Sequence, residues 1–362
     1  MPTISLCMVV KNEEEVLARC LNSAREITDE IIVVDAGSAD RTKEIAKEYT
    51  DKIYDFTWTD DFSAARNFSF AQATGEYILW LDADDVILDA DKSEFLRLKE
   101  ELDCTVDVVM MRYTTDTDEN GQPNFFYYVE RLVKKSSGFL WKEPAHEYLE
   151  FEGNIRTSDI RIVHKNIHKN ESGRNLAIYE SVIAKGEELS PRGLYHYARE
   201  LMEHGKTKEA VEAFSRFLDT GKGPKEDNIN ACYALSGCYS ILNDTNLALL
   251  SLYRSFLFDL PRPEACCRIG FAHLNSQEYK KAIFWFDLAT KLPVSPGCKF
   301  MHPDYSDYIP FMELAVCYDR LGDYEKSEAF NCKAGELKPG APEVLYNKKY
   351  FAALKNSGKY AV

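Results

Sequence analysis

The stretch "LWLDADDVIL" (residues 79–88) decides how the chain is read, because an apolar strand-like run ends abruptly in three carboxylates, Asp82, Asp84 and Asp85. An aspartate at such a place can cap the helix that follows, and Asp85 and Asp89 are the candidates for that role. Carboxylates at i and i+2 of an extended backbone instead point to one side, roughly 7 Å apart, where they can share a divalent cation. A calcium loop of the EF-hand kind is excluded, since Val86, Ile87 and Leu88 stand where further oxygen ligands and a glycine are required. What remains is an open site in which one or two carboxylates hold Mg²⁺ or Mn²⁺ and leave the other positions to water and phosphate oxygens.

Upstream of that stretch, strand-like runs alternate with helical ones. "TISLCMVV" (3–10) reads as a buried strand, "EEEVLARCLNSA" (13–24) as a helix, and "EIIVVDAGSAD" (30–40) as a strand running into a Gly/Ser turn. "KIYDF" (52–56), the helical "FSAARNFSFAQATG" (62–75) and "EYILWLDADD" (76–85) complete the series. Strands separated by helices of this length form βαβ crossovers, so the expected fold class is α/β with a mainly parallel central sheet. Ligands of such sheets sit beyond the carboxyl ends of the strands, where Asp35, Asp82 and Asp84 all fall. Asp35 cannot bind phosphate, but it can accept hydrogen bonds from a nucleobase N–H or a ribose hydroxyl; Ser38 or Asp40 fits a purely structural capping role equally well. Arg66 is placed to pair with one of these aspartates or to face a diphosphate, whose oxygens suit its planar fork.

Past about residue 175 the rhythm becomes helical and repetitive. "YHYARELMEHGKTKEAVEAF", "YALSGCYSILNDTNLALLSL", "CRIGFAHLNSQEYKKAIFWF" and "MELAVCYDRLGDYEKSEAFN" superpose with Ala210, Ala248, Ala282 and Ser327 in register, 38, 34 and 45 residues apart. One spacing is the 34-residue period of tetratricopeptide helix pairs, and the insertion "PVSPGCKFMHPDY" accounts for the longest. Ala198, Ser236, Gly270 and Ala315 each precede the matching small residue by twelve positions, which marks a close approach of two helices in every pair. The expected division is therefore an α/β domain at 1–174, with 113–174 as its acceptor-side part, and helical repeats at 175–362.

Composition narrows the function. A hydrophobic content of 45% supports packed cores, and a net charge of −15 disfavours a nucleic-acid partner, whose binding rests on a basic surface, without forbidding a local basic patch. No apolar run reaches the roughly 20 residues needed to span a bilayer. The start "MPTISLCMVVKNEEE" lacks the basic and apolar regions of an export signal. The ten cysteines form no C-x-x-C pair. A cytoplasmic protein with reduced thiols is expected.

In order and spacing, "SLCMVVKNEEEVLARCLNSA", "DEIIVVDAGSADRTKEIA" and "FSAARNFSFAQATGEYILWLDADD" resemble the nucleotide-sugar domain of family 2 glycosyltransferases with the GT-A fold. "KEPAHEYLE" and "IVHKN" are similar to the branch with helical repeats, which includes S-glycosyltransferases of bacteriocins and lipopolysaccharide-core glucosyltransferases. The resemblance implies an inverting, metal-dependent hexosyltransferase using a nucleoside diphosphate sugar, most commonly a UDP-hexose such as UDP-glucose. It implies that Val9 and Lys11 line the base pocket and that Asp35 recognises the base. Asp82 and Asp84 match the D-x-D motif, with Asp84 the direct metal ligand and Asp82 nearer the ribose, and His164 matches a late histidine that completes the metal site. No short "ED" motif follows the D-x-D, and His146 with Glu147 is the nearest substitute for the general base, Glu147 being the carboxylate that would take the acceptor's proton. The acceptor side admits a peptide, a glycan or a lipid-linked glycan, and the repeats admit a homodimer. The rival reading is a tetratricopeptide scaffold behind an inactive domain. A nucleotidyltransferase is disfavoured because the acidic "KNEEE" stands where a basic, glycine-rich triphosphate loop would.

Overall fold

The computed structural model describes residues 1–117, 123–165, 173–293 and 303–357. They form two compact units, Met1–Glu188 and Leu189–Val362.

In the first unit, β1 (Ile4–Val10) lies inside a mixed sheet, with Ile4, Leu6, Met8 and Val10 on one face and Cys7 and Val9 on the other. This is the two-residue alternation of an extended chain. β1 pairs in parallel with β2 (Glu30–Asp35) and β4 (Tyr77–Trp80), and β2 with β3 (Ile53–Asp55). The helices between them are α1 (Leu17–Ala24), α2 (Thr42–Lys47) and α3 (Phe62–Gln72). α1 buries Leu17, Cys20, Leu21 and Ala24, an i, i+3, i+4, i+7 stripe. The two leucines each contribute roughly 1.5–3 kcal/mol when fully buried. α3 starts where the Asp61 carboxylate accepts from Ala64 N–H at 3.0 Å, which satisfies one of the helix's open donors.

The chain then departs from the simple alternation. β5 (Asp85–Ile87) and α4 (Asp89–Glu101) lead to β6 (Val108–Thr117), β7 (Pro123–Lys134) and β10 (Ile155–His164). The full order is β3-β2-β1-β4-β7-β6-β10-β5, with β7 antiparallel to both neighbours, β10 parallel to β6 and β5 antiparallel to β10. A hairpin of β8 (Leu140–Lys142) and β9 (Tyr148–Glu150) packs Trp141 and Leu149 into the core on the Val9 face.

Residues 76–85 are therefore not one strand. β4 stops at Trp80, and a turn is closed by Asp85 N–H on the Asp82 carbonyl and Asp82 N–H on Asp85 Oδ2, each at 3.0 Å. Nor does Asp85 or Asp89 cap α4: Asp85 is the buried first residue of β5, Asp89 lies inside the helix, and the residue before it is Leu88.

The first unit also runs past residue 174. α5 (Arg174–Ala184) belongs to it, with Tyr179 fully buried and its hydroxyl donating to the Ala145 carbonyl at 2.8 Å.

The second unit is helical throughout its described residues. Its pairs are α6 (Pro191–Glu203) with α7 (Thr207–Asp219), α8 (Lys225–Ile241) with α9 (Thr245–Arg254), α10 (Pro263–Asn275) with α11 (Tyr279–Ala289), and α12 (Tyr308–Arg320) with α13 (Tyr324–Leu337), followed by α14 (Pro342–Asn356). The small residues sit at the contacts: Ser327 Oγ donates to the Ala315 carbonyl at 2.6 Å, and a Cβ on Gly270 would lie 2.7 Å from the Phe286 ring. Most of the "PVSPGCKFMHPDY" insertion, including Cys298, lies outside the described residues.

Candidate active site

The ends of β1, β2 and β4 converge as parallel pairing requires, and the site is built on them. Asp35 closes β2 with 2% exposure. Its Oδ2 accepts from Gly37 N–H at 3.1 Å and Ser38 N–H at 3.0 Å, while its buried Oδ1 has no hydrogen-bond partner among the described residues. Gly37 has φ +92°, which an L side chain rarely adopts, so the turn that turns two N–H groups onto Asp35 favours glycine. Ser38 and Asp40 have other tasks: Ser38 Oγ accepts from Asn12 N–H, and Asp40 Oδ1 accepts from Thr42 N–H. Val9 pairs in register with Val34 and is half-buried, and Lys11 follows the strand end, exposed.

Arg66 projects from α3 and divides its guanidinium between two carboxylates. Nη2 reaches Asp82 Oδ1 and Nε reaches Glu147 Oε1, both at 2.8 Å. Its carbon centre lies 5.0 Å from the Trp80 ring and 4.8 Å from the Trp141 ring, and the two indoles meet edge to face at 4.8 Å. Burial opposes ionisation of Asp82, but Arg66 and then Arg131 outweigh it and hold the carboxyl below its ordinary range.

A second cluster is set by strand register. Pairing of β5 with β10 places His164 opposite Asp85. His164 Nδ1 lies 3.3 Å from Asp84 Oδ1 and 3.5 Å from Asp85 Oδ1. The two facing carboxylates, Asp84 first, push the imidazole up to about 10 against the opposing effect of burial. Behind them Arg131, 2% exposed, takes Asp85 Oδ2 at 2.9 Å and lies 3.8 Å from the Trp80 ring centre. That leaves Asp85 Oδ1 and His164 Nδ1 buried without a hydrogen-bond partner among the described residues. One ligand atom each from Asp84, Asp85 and His164 lies within 4.8 Å of the others. Two carboxylate oxygens and an imidazole nitrogen, the latter once it has given up its proton, fit a divalent cation.

The predicted residues are thus grouped differently from the expectation that Asp82 and Asp84 share a cation. Asp82 joins Arg66 and Glu147, and Asp84 joins His164 and Asp85. His146 turns its ring alongside Tyr179, centroids 6.4 Å apart at 14°. Asp85 as a cluster member and Arg131 were missed. The signal was present in "YYVERLVKK", where an arginine inside a strand-like run demands a buried carboxylate partner.

Comparison with known proteins places two segments of the chain in families. Residues 5–168 match the family Glycosyl transferase family 2, and residues 263–293 match a tetratricopeptide repeat. The glycosyltransferase SunS of Bacillus subtilis is 28% identical over 309 residues, covering 80% of this chain and 69% of SunS. A TPR repeat-containing protein of Synechococcus elongatus is 39% identical over 151 residues, 41% of this chain and 36% of that protein, so the match spans about a third of that relative's own length. Among solved structures, Staphylococcus aureus TarS 1–349 covers 70% of this chain and 91% of its own at 15% identity, with a TM-score of 0.39. Residues 5–168, a little under half of the chain, thus match the family 2 glycosyltransferases, and a tetratricopeptide repeat follows them at 263–293.

Proposed function

We propose that the chain is a metal-dependent, inverting glycosyltransferase that moves a hexose from a nucleoside diphosphate donor, with UDP-hexose the preferred class, to a peptide, glycan or lipid-linked acceptor. The observation that carries this reading is the convergence of Asp84, Asp85 and His164 beside the Asp82–Arg66–Glu147 group, at strand ends of a domain matching the family.

In this reading Asp35 Oδ1 accepts from a base N–H, satisfying an oxygen that is otherwise buried without a partner, while Val9 and Lys11 flank the base. Asp82 stands on the ribose side. Asp84, Asp85 and His164 would hold Mn²⁺ or Mg²⁺, which when bound offsets the charge growing on a diphosphate leaving group, an effect worth several kcal/mol. Glu147, aimed by Arg66, takes the proton of the attacking acceptor; we assign this to Glu147 rather than His146 because His146 turns toward Tyr179. Attack from the side opposite the leaving group inverts the anomeric carbon. The helical repeats are proposed to hold an acceptor or a second copy of the chain.

Calorimetric titration of the full chain with UDP and UDP-glucose, with and without Mn²⁺, tests the reading. Metal-dependent binding that disappears in Asp84→Ala is expected. Absence of binding to any nucleoside diphosphate would overturn it.

A further inference from the structure

The edge of the sheet carries an aromatic stripe that continues past the core. From Ile53 to Thr59 the extended chain keeps Tyr54, Phe56 and Trp58 half-buried on one side and Asp55, Thr57 and Thr59 exposed on the other. Tyr54 and Phe56 meet Phe68 of α3 at ring distances of 6.4 and 5.5 Å, and all three pack against the core. Trp58 and Phe62 are not among the residues of that cluster or of the one on the opposite face of the sheet, and they meet each other edge on at 4.7 Å.

This pair is nonetheless held firmly. Trp58 Nε1 donates to Asp60 Oδ1 at 2.9 Å, with Asp60 at φ +59°, a conformation costly for a residue with a Cβ. Phe62 N–H donates to the Pro144 carbonyl at 2.9 Å, and the Arg174 guanidinium lies 4.8 Å from the Phe62 ring. Four of the six non-glycine residues with positive φ among the described residues, Asn12, Asp60, Glu143 and His146, lie in the loops at this end of the sheet. Phe62 stands one helical turn before Arg66, which reaches Glu147. The Trp58–Phe62 pair is therefore fastened to the loop that leads to Glu147, the carboxylate assigned to the acceptor's proton.

We propose that Trp58, backed by Phe62, is an acceptor platform that receives the apolar face of a neutral sugar ring. The inference rests on the glycosyl-transfer reading above and adds the acceptor class to it. With its N–H already engaged by Asp60, the indole offers only hydrocarbon surface. The Asp60 carboxylate beside it suits hydroxyl donors and repels phosphates and acidic peptides. A pyranose has one apolar C–H face and a rim of hydroxyls, which matches a ring bordered by acceptors.

The test uses the full chain, with methyl β-D-glucopyranoside as the probe and two readouts. Saturation-transfer NMR should show transfer to the ring C–H protons of the glycoside, falling at least about fivefold in Trp58→Ala and much less in Trp58→Phe, with UDP affinity unchanged in both. In wild-type protein labelled with 5-fluorotryptophan, one of the four tryptophan resonances should shift on adding glycoside, and it should be the one missing from Trp58→Phe. The labelled wild type keeps the test valid if Trp58→Ala folds poorly. Equal transfer in wild type and Trp58→Ala, no glycoside signal at all, or loss of UDP affinity in Trp58→Phe would overturn the platform. Glycoside binding at Trp58 without any nucleotide binding would overturn the donor reading and leave the platform standing.

Discussion

Arg66 and Glu147 are 81 residues apart in sequence and form a 2.8 Å ion pair through the guanidinium Nε. The same guanidinium holds Asp82, so a helix, a strand end and the loop before β9 are fastened through one side chain.

Removing that fastener leaves the mostly buried Glu147 and the partly exposed Asp82 without their shared cation. Arg66→Ala is expected to cost about 3 kcal/mol of stability, and Arg66→Lys nearly as much, because an ammonium cannot present two separated N–H donors in one plane. Urea denaturation followed by tryptophan fluorescence measures this. A change below about 0.5 kcal/mol, the scale of an ordinary surface substitution, would contradict it.

The grouping of carboxylates makes a sharper distinction within residues 82–85. Asp84→Asn and His164→Ala should each weaken Mn²⁺ binding by about tenfold or more, the order seen when metal-site partners are lost. Asp82→Asn should leave it nearly unchanged, because Asp82 Oδ1 is already engaged by Arg66. Manganese EPR on the protein alone reads this without a substrate. Equal losses in Asp82→Asn and Asp84→Asn would restore the pairing expected of an extended chain.

Stability should also depend on pH through Glu313 of α12, whose carboxyl is pushed up to about 7 by burial from an unfolded value near 4.5. The folded group holds its proton more tightly than the unfolded one. Its contribution is therefore most favourable below pH 4.5, declines as pH rises from 4.5 to 7, and is level above that. At 1.36 kcal/mol per pKa unit the loss is at most about 3 kcal/mol, and partial exposure reduces it to on the order of 1–2 kcal/mol. Glu313→Gln should remove this component, seen as a smaller fall in melting temperature between pH 5 and pH 8 than the wild type shows.

Gly270 tests the helix pairing. Its substitution by alanine puts a carbon 2.7 Å from the fully buried Phe286 ring, so Gly270→Ala should destabilise by about 1–3 kcal/mol despite alanine's better helix propensity. Thermal unfolding monitored by circular dichroism would report it, and a stabilised variant would show that α10 and α11 approach less closely.

Local signals carried the first half of the sheet and the repeats. β1 to β4 and their helices repeat short-range patterns, and the small residues twelve apart mark contacts between helices adjacent in sequence. Asp35, Arg66, Glu147 and His164 were legible as residue types in suggestive places, helped by the family resemblance. Arg66 with an aspartate and His164 with Asp84 were anticipated, but the part played by Asp85 was not, because its pairing with His164 depends on β5 and β10 meeting in one register and its pairing with Arg131 on a residue of β7. A three-residue strand carries too little periodicity to announce that. The end of the first unit was not legible either, since α5 has a helical pattern like the repeats, and it is the contacts of Tyr179 with Ala145 and of Arg174 with Phe62 that tie it to the first unit.

The hydrogen bond from Tyr179 to Ala145 bears on how this chain can be dissected. A fragment ending at residue 174, where the helical rhythm begins, would lose the side chain that supports the loop two residues before Glu147. Such a fragment would keep every residue of the Asp84–Asp85–His164 cluster and yet fail on the acceptor side. A fragment carried through to Glu188 keeps both, so comparing the two separates donor competence from transfer competence within a single polypeptide.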